Sequence, residues 1–140
     1  HEDCRRQRQM CIRDRGKGRD ALFNPKINIE LGSKYLSHLM YNGDKVRNLF
    51  KTLAAYNAGP GKLGRWESKI NYQNDPLMFM ESIPSPETRN FIEQVFIGLW
   101  IYRFRLDQPA PSLTQLAEGN WPHYKSVSNK KMGGFSNARN

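Results

Sequence analysis

The side chains best suited to chemistry in this sequence are a phenol and an amide that stand just before a helix break. Tyr56 and Asn57 close an apolar run, and the tripeptide Gly-Pro-Gly follows at residues 59–61. Glycine tolerates left-handed backbone angles and proline cannot donate an amide hydrogen, so a helix is expected to end here. We expect this break to hold Tyr56 and Asn57, which can both donate and accept hydrogen bonds, at the mouth of a cleft.

A carboxylate, Glu81, is the second candidate for site chemistry. It lies in residues 77–83, whose other members are mostly Leu, Met, Phe and Ile, and a charged group in apolar surroundings needs a partner. Two interpretations are open: an ion pair with Arg89, or a carboxylate that lines a cleft. Because Tyr56 and Glu81 both stand at the ends of elements, where clefts are built, the sequence predicts that they face one groove.

Several other kinds of site are not supported by the residues. The glycines at 59, 61 and 64 match the dinucleotide fingerprint, but residues 45–57 have a helical period where that site needs a strand. Two cysteines, Cys4 and Cys11, and three histidines without ligand spacing do not make a zinc site. We interpret both cysteines as unpaired thiols. The sequence therefore predicts no cofactor and no metal.

Length and charge suit one small domain with basic ends. The chain has 140 residues and a net charge of +9, of which residues 1–20 carry +3 and residues 122–140 carry +4. The region between them is nearly balanced, and the arginine-rich start lacks the interleaved aromatic residues of many nucleic-acid sites. We therefore expect no nucleic-acid partner. No apolar run reaches the roughly 20 residues of a membrane helix, and any export signal is expected to lie outside this sequence.

The apolar spacing predicts an all-α fold. Helices are expected from Asn24-Pro25, from about Asp44, from Pro60, over Leu77–Ile83 as a short helical or irregular piece, and from Ser85-Pro86 to about Arg105. The run from Ser112 to Gln115 predicts a capping box for a last short helix closed by Gly119. The fifth of these helices should be central. Its apolar residues are expected to pack against Leu36, Leu49 and Leu53, and they are Phe91, Ile92, Val95, Phe96 and Leu99.

Three separated motifs resemble the soluble lytic transglycosylase domain, a lysozyme-like muramidase. They are the runs at residues 28–36 (Asn-Ile-Glu-Leu-Gly-Ser-Lys-Tyr-Leu), 54–61 (Ala-Ala-Tyr-Asn-Ala-Gly-Pro-Gly) and 80–89 (Met-Glu-Ser-Ile-Pro-Ser-Pro-Glu-Thr-Arg), in the order of the family. Residues 105–109 and 119–122 are similar to the end of such domains. The resemblance extends from about Leu22 to Tyr124. It implies a lysozyme-like helical fold, peptidoglycan glycan strands as partner, and a periplasmic or cell-envelope location.

The resemblance also implies roles for individual residues. Tyr56 would hydrogen-bond around the scissile sugar and the general acid, and Glu81 matches the glutamate that lines the glycan cleft. Asn57 would either contact substrate or tie the helix end to the following loop, and Ala58 and Gly59 complete this substrate-binding run. Trp66 is interpreted as a core residue, whereas Tyr72 is open to either packing or a sugar contact.

One part of the family pattern has no counterpart in this sequence. The family's catalytic Glu-Ser dipeptide and its Gly-Leu-Met-Gln run precede the first motif, and residues 1–27 match neither. We therefore expect residues 21–124 to be the C-terminal part of the domain without its N-terminal catalytic helix, residues 1–20 a non-native or disordered leader, and residues 125–140 a disordered basic tail. Missing helices should leave one apolar face uncovered, which lowers stability or promotes association.

The family reaction cleaves the β-1,4 bond between N-acetylmuramic acid and N-acetylglucosamine and closes a 1,6-anhydro ring, with one glutamate as acid and base. The sequence predicts a monomeric chain with the glycan cleft but without this acid, and so without activity. The alternatives are a non-catalytic peptidoglycan-binding or scaffold module of the same fold, and a basic helical protein that binds nucleic acid.

Overall fold

The computed structural model describes residues 23–41 and 48–126, which form helices and no strand. Their helices are α1 (Pro25–Tyr41), α2 (Leu49–Ala58), α3 (Pro60–Lys69), α4 (Pro76–Ser82), α5 (Pro86–Arg105) and α6 (Pro111–Ala117). A single antiparallel bridge in this part joins Asn48 to His123. The all-α prediction is confirmed. The predicted leader, the two cysteines and the predicted tail beyond Ser126 lie outside the described residues.

Side-chain caps that a proline follows define where three of these helices begin. The Oδ1 atom of Asn24 accepts from the backbone nitrogen of Lys26 at 3.0 Å, and Ser85 Oγ accepts from that of Thr88 at 3.3 Å. In each case a proline follows the cap, because its missing amide hydrogen costs nothing in the first turn. Asp75 caps α4 in the same way, through the backbone nitrogen of Met78 at 2.8 Å. The predicted starts at Asn24-Pro25 and Ser85-Pro86 are confirmed.

Two predicted helix starts are wrong. Helix α2 begins at Leu49 and not near Asp44, because Asn48 has an extended backbone and its Oδ1 caps the nitrogen of Lys51 at 3.2 Å. Helix α6 begins at Pro111, so Ser112 lies inside it and forms no capping box. The Ser112 hydroxyl accepts a hydrogen bond from the indole nitrogen of Trp100 instead, at 3.1 Å.

The core lies where α2 meets α3, α4 and α5. Its best-buried large side chains come from all four helices and from the turn after α4: Phe50, Leu63, Phe79, Ile83 and Ile92. Helix α5 contributes Ile92 and Phe96 as fully packed residues, as predicted, whereas its Phe91, Val95 and Leu99 are only partly buried against the same cluster. The predicted partners Leu49 and Leu53 are buried, and Leu36 packs at the edge.

Residues 121–125, which we call the C-terminal clasp, close over the start of α2. The backbone nitrogen of Leu49 donates to the Pro122 carbonyl at 2.8 Å, and Arg103 donates to the Lys125 carbonyl at 3.0 Å. The Trp121 ring lies 4.9 Å from Lys51 Nζ, which also pairs with Glu67 at 3.2 Å. A cation over an aromatic face is attracted by the ring's quadrupole. The clasp therefore fastens the end of the described chain to its middle.

Aromatic packing decides the interpretation of Tyr72. Its ring lies 5.1 Å from that of Phe79 and 5.8 Å from that of Trp121, both edge-on. Trp66 packs at the edge of the core, as the sequence predicted. Tyr72 is therefore a packing residue beneath the clasp.

One side of α5 carries large apolar side chains that remain exposed. Ile97, Ile101 and Phe104 are 46, 47 and 66% exposed. No helix in the described residues combines the length and apolar character needed to cross a membrane.

Candidate functional site

The predicted break after Asn57 is present, and it sets the direction of the Tyr56 and Asn57 side chains. Helix α2 ends at Ala58, and Gly59 has φ 96° and ψ 147°, in the half of backbone space that side chains with a Cβ avoid. Its nitrogen donates to the Ala55 carbonyl at 2.9 Å, and its own carbonyl accepts from Leu63 at 3.2 Å. Gly59 thus belongs to the hydrogen bonding of both helices, and the break between α2 and α3 is tight.

Asn57 is held by a buried hydroxyl from α5. Thr88 Oγ1 donates to Asn57 Oδ1 at 2.7 Å, and Thr88 is only 1% exposed. The hydroxyl of Ser85, which caps α5, lies 3.0 Å from the same Thr88 oxygen. Because this bond occupies the Asn57 oxygen, it fixes the amide, and the Asn57 nitrogen donates to no acceptor within the described residues. Asn57 therefore ties α2 to α5 and not to the following loop.

Tyr56 stands between α1 and α5. Its ring centroid is 5.6 Å from that of Tyr35 and 6.0 Å from that of Phe91, with the Phe91 ring nearly parallel to it. Its hydroxyl reaches the backbone of α1 at Gly32, where an added Cβ atom would lie 3.3 Å from the phenol oxygen. Tyr35 is buried, while Tyr56 is only half-buried. Tyr56 is therefore more exposed than the packed tyrosine beside it, as expected for a cleft residue.

Glu81 does not have the environment that the sequence suggested. It is the penultimate residue of α4 and it is exposed, because the helical turn directs Met80 and Phe79 into the core and Glu81 away from it. Its predicted partner Arg89 donates through Nη1 to the carbonyl of Ile83 instead. The ion-pair interpretation is therefore wrong. A groove shared with Tyr56 stays a prediction, and Glu81 contributes no hydrogen bond to the network of Tyr56, Asn57 and Thr88.

The remaining candidates act through the backbone. Ala58 is 8% exposed and Gly59 is also buried, so neither offers a side chain to a ligand, and their part is to shape the break. Within residues 23–41 and 48–126, no group of three or more His, Cys, Asp or Glu side chains is placed to hold a metal ion.

Two residues of the site were not singled out from the sequence. Thr88 precedes the apolar residues of α5 at helical spacing, and a hydroxyl at a buried helical position needs a partner and so signals a polar contact. Gly32 lies inside α1, where glycine is unfavourable, and such a glycine indicates close approach by a neighbour. These two signals were present in the sequence and would have linked its three motifs.

Comparisons with known proteins identify related sequences. The family model described as Transglycosylase SLT domain matches residues 5–79. The chain is 36% identical over 89 residues to the soluble lytic murein transglycosylase of Escherichia coli K12, covering 63% of this chain and 14% of that protein. It is 36% identical over 92 residues to the protein of the same name from Salmonella typhimurium LT2, covering 66% of this chain and 14% of that protein.

A third relative extends the match to 104 residues. It is the putative soluble lytic murein transglycosylase of Haemophilus influenzae, with 33% identity over 74% of this chain and 17% of that protein. The chain thus spans about one sixth of the length of these relatives or less. No solved structure matches it. The family match begins at residue 5, within the segment that the sequence analysis assigns to a leader.

Proposed function

Because this chain belongs to the transglycosylase SLT domain family, we propose that it binds the glycan strands of peptidoglycan, in the periplasm or cell envelope, at Tyr56 and Asn57. The observation that carries the proposal is the meeting of the three motifs at these two residues. Tyr56 reaches Gly32 of the first motif, and Asn57 bonds to Thr88 of the third. If Tyr56 and Asn57 served only in packing, the contacts to Gly32 and to Thr88 would not need to occur together at one helix end.

The side chains of Tyr56 and Asn57 suit a sugar that carries amide and hydroxyl groups. The half-buried Tyr56 ring offers an apolar face, which matches the apolar face of a pyranose. The Thr88 bond leaves the Asn57 nitrogen as a pre-oriented donor for a carbonyl or hydroxyl oxygen. Because the amide is already held in place, its ordering costs little free energy when the glycan binds.

We also propose that the chain holds glycan without cleaving it. The family reaction, cleavage of the N-acetylmuramic acid to N-acetylglucosamine bond with 1,6-anhydro ring closure, needs one glutamate as acid and base. The sequence of residues 1–27 offers no glutamate in a Glu-Ser setting, since Glu2 precedes Asp3. Glu81 is exposed at the end of α4, and we assign it a cleft-lining role at most.

Co-sedimentation with purified peptidoglycan tests the binding proposal. Tyr56→Phe and Thr88→Val should each weaken binding by about tenfold, the equivalent of one well-placed hydrogen bond. Thr88→Val keeps the shape of the side chain but releases the Asn57 amide. The matched control is Tyr102→Phe, which removes a hydroxyl from a side chain that is 65% exposed on α5.

High salt separates this binding from attraction to the basic ends. The net charge of +9 would draw the chain to an anionic wall, but that attraction is screened by salt while a buried contact is not. Equal binding by Tyr56→Phe, Thr88→Val and the unchanged chain at high salt would rule out the Tyr56–Asn57 site. Salt-sensitive binding to DNA fragments in its place would favour the nucleic-acid alternative.

Gly32→Ala should separate stability from binding. Alanine favours a helix by about 1 kcal/mol over glycine, so thermal unfolding should stay unchanged or move upward. Its Cβ would lie 3.3 Å from the Tyr56 hydroxyl and displace it, so glycan binding should fall by about threefold to tenfold. Gly64→Ala is the control, because a Cβ there meets nothing within 4 Å. Equal binding by the two variants would contradict the role given to the phenol.

A further inference from the structure

The exposed side of α5 carries a ridge of four residues with opposite charges at its two ends. Glu93, Ile97, Ile101 and Arg105 follow one another at four-residue spacing, so they form one row on the helix surface. All four are exposed, and the two isoleucines are 46 and 47% exposed. Neither Glu93 nor Arg105 forms an ion pair with another residue in the described part of the chain.

The surface beside this ridge is also apolar. A groove runs along α5 next to Glu93 and Ile97, and Leu77 of α4, Trp100 of α5 and Leu116 of α6 line it. Leu77 is 48% exposed and Phe104, on the other flank, is 66% exposed. Contiguous apolar surface of this kind indicates a contact with another macromolecule.

We propose that this face binds a second copy of the same chain, with the two α5 helices antiparallel about a two-fold axis level with residue 99. In that arrangement Ile97 of one copy faces Ile101 of the other at the centre. Glu93 of one copy meets Arg105 of the other at both ends. A two-fold rotation therefore places the acidic end of one ridge opposite the basic end of the other. An isologous contact requires such self-complementarity.

Helix packing rules make this contact possible. Rows of residues four apart on two helices interdigitate when the helices cross at about 50°, with their axes about 8–10 Å apart. The two ridges then run side by side, so the glutamate and the arginine at their ends are within reach of each other. In a parallel pair, Glu93 would face Glu93 and Arg105 would face Arg105. The charges favour the antiparallel form.

The predicted dimer is weak and depends on concentration. A single helix pair with its flanking residues buries less surface than the roughly 1,200 Å² of a stable interface, so dissociation in the micromolar range is expected. The sequence predicted a monomer, and it also predicted association through an uncovered apolar face. The ridge supports association. The proposed dimer does not depend on glycan binding.

Sedimentation equilibrium over a range of concentrations, with the full chain, tests the pairing. Glu93→Arg and Arg105→Glu should each weaken the dimer by at least about tenfold, because each replaces two attractive contacts with two repulsive ones. The double variant exchanges the charges and should restore dimerisation to within about threefold of the original. Glu118→Arg, a reversal at an exposed site beyond α6, is the control.

The charge variants decide the proposal even where an apolar variant fails to fold. Ile97→Asp should abolish association, with circular dichroism to check the helices. A chain that is monomeric at every concentration overturns the proposal. The proposal is also overturned if the dimer is equally strong in both single reversals and in the double reversal. Such a result would indicate non-specific clustering of apolar surface, which does not depend on these charges.

Discussion

Purified sacculi incubated with this chain should release no 1,6-anhydromuropeptides above a buffer control. General acid–base catalysis alone contributes about 10²- to 10⁴-fold to a rate, and this reaction depends on one glutamate for both proton transfers. A chain without that glutamate should therefore show no detectable turnover. Mass spectrometry of the soluble fraction after long incubation is the measurement, because it identifies the anhydro product directly.

The described residues hold two Glu-Ser dipeptides, and neither glutamate is placed as an acid. Glu67 pairs with Lys51 at 3.2 Å, and both side chains are about one-fifth exposed. The Lys51 ammonium thus already holds the Glu67 carboxylate. Glu81 is exposed at the end of α4.

A murein transglycosylase of known activity serves as the positive control for this assay. Binding of the chain to the same sacculi should be measured in parallel, so that absent product cannot be ascribed to absent contact. Release of anhydro product that disappears in Glu81→Gln would contradict the proposal and make Glu81 the acid.

Phe79→Ala should lower the free energy of unfolding by about 3–5 kcal/mol. Phe79 is 0% exposed, and its ring contacts those of Tyr72 at 5.1 Å and Trp121 at 5.6 Å. Alanine would leave a cavity beneath the clasp, and the aromatic side chains around it could collapse into it only partly. Since small domains are stable by about 5–15 kcal/mol, this loss is a large fraction of the total stability.

Urea or thermal denaturation followed by circular dichroism measures this change. Phe104→Ala is the matched control, because Phe104 is 66% exposed and its removal should alter the free energy of unfolding by less than about 0.5 kcal/mol. A similar loss in the two variants would contradict the core position of Phe79.

The sequence predicted helices best where a local signal fixed their ends. Asn24 and Ser85 each combine a capping side chain with a following proline, and both starts are confirmed. Ser112 also has a capping side chain, although no proline follows it, and its hydroxyl accepts a hydrogen bond from the Trp100 indole, which comes from another helix. Capping patterns cannot reveal such a competitor because it is distant in sequence. Asn48 shows the reverse, since it caps α2 without a following proline.

The site was only partly predictable for the same reason. The Gly-Pro-Gly break placed Tyr56 and Asn57 at a helix end from local chemistry alone. The contacts that orient them, from Gly32 and Thr88, come from α1 and α5 and depend on packing. The exposure of Glu81 was not predictable, because the apolar composition of its neighbours does not show which side of a short helix faces the core. Met80 and Glu81 are neighbours in α4, yet Met80 is buried and Glu81 is exposed.

The clasp has a consequence for how the molecule opens. Most contacts in the described chain join helices that are near one another in sequence, and such chains can lose structure piecewise from their ends. The bond from Leu49 to Pro122 and the Trp121–Lys51 contact instead link the middle of the chain to its last described segment. Fraying of that segment therefore exposes the start of α2 and the Lys51–Glu67 pair together. Hydrogen exchange at the Leu49 amide, in the middle of the chain, then reports the opening of the C-terminal clasp.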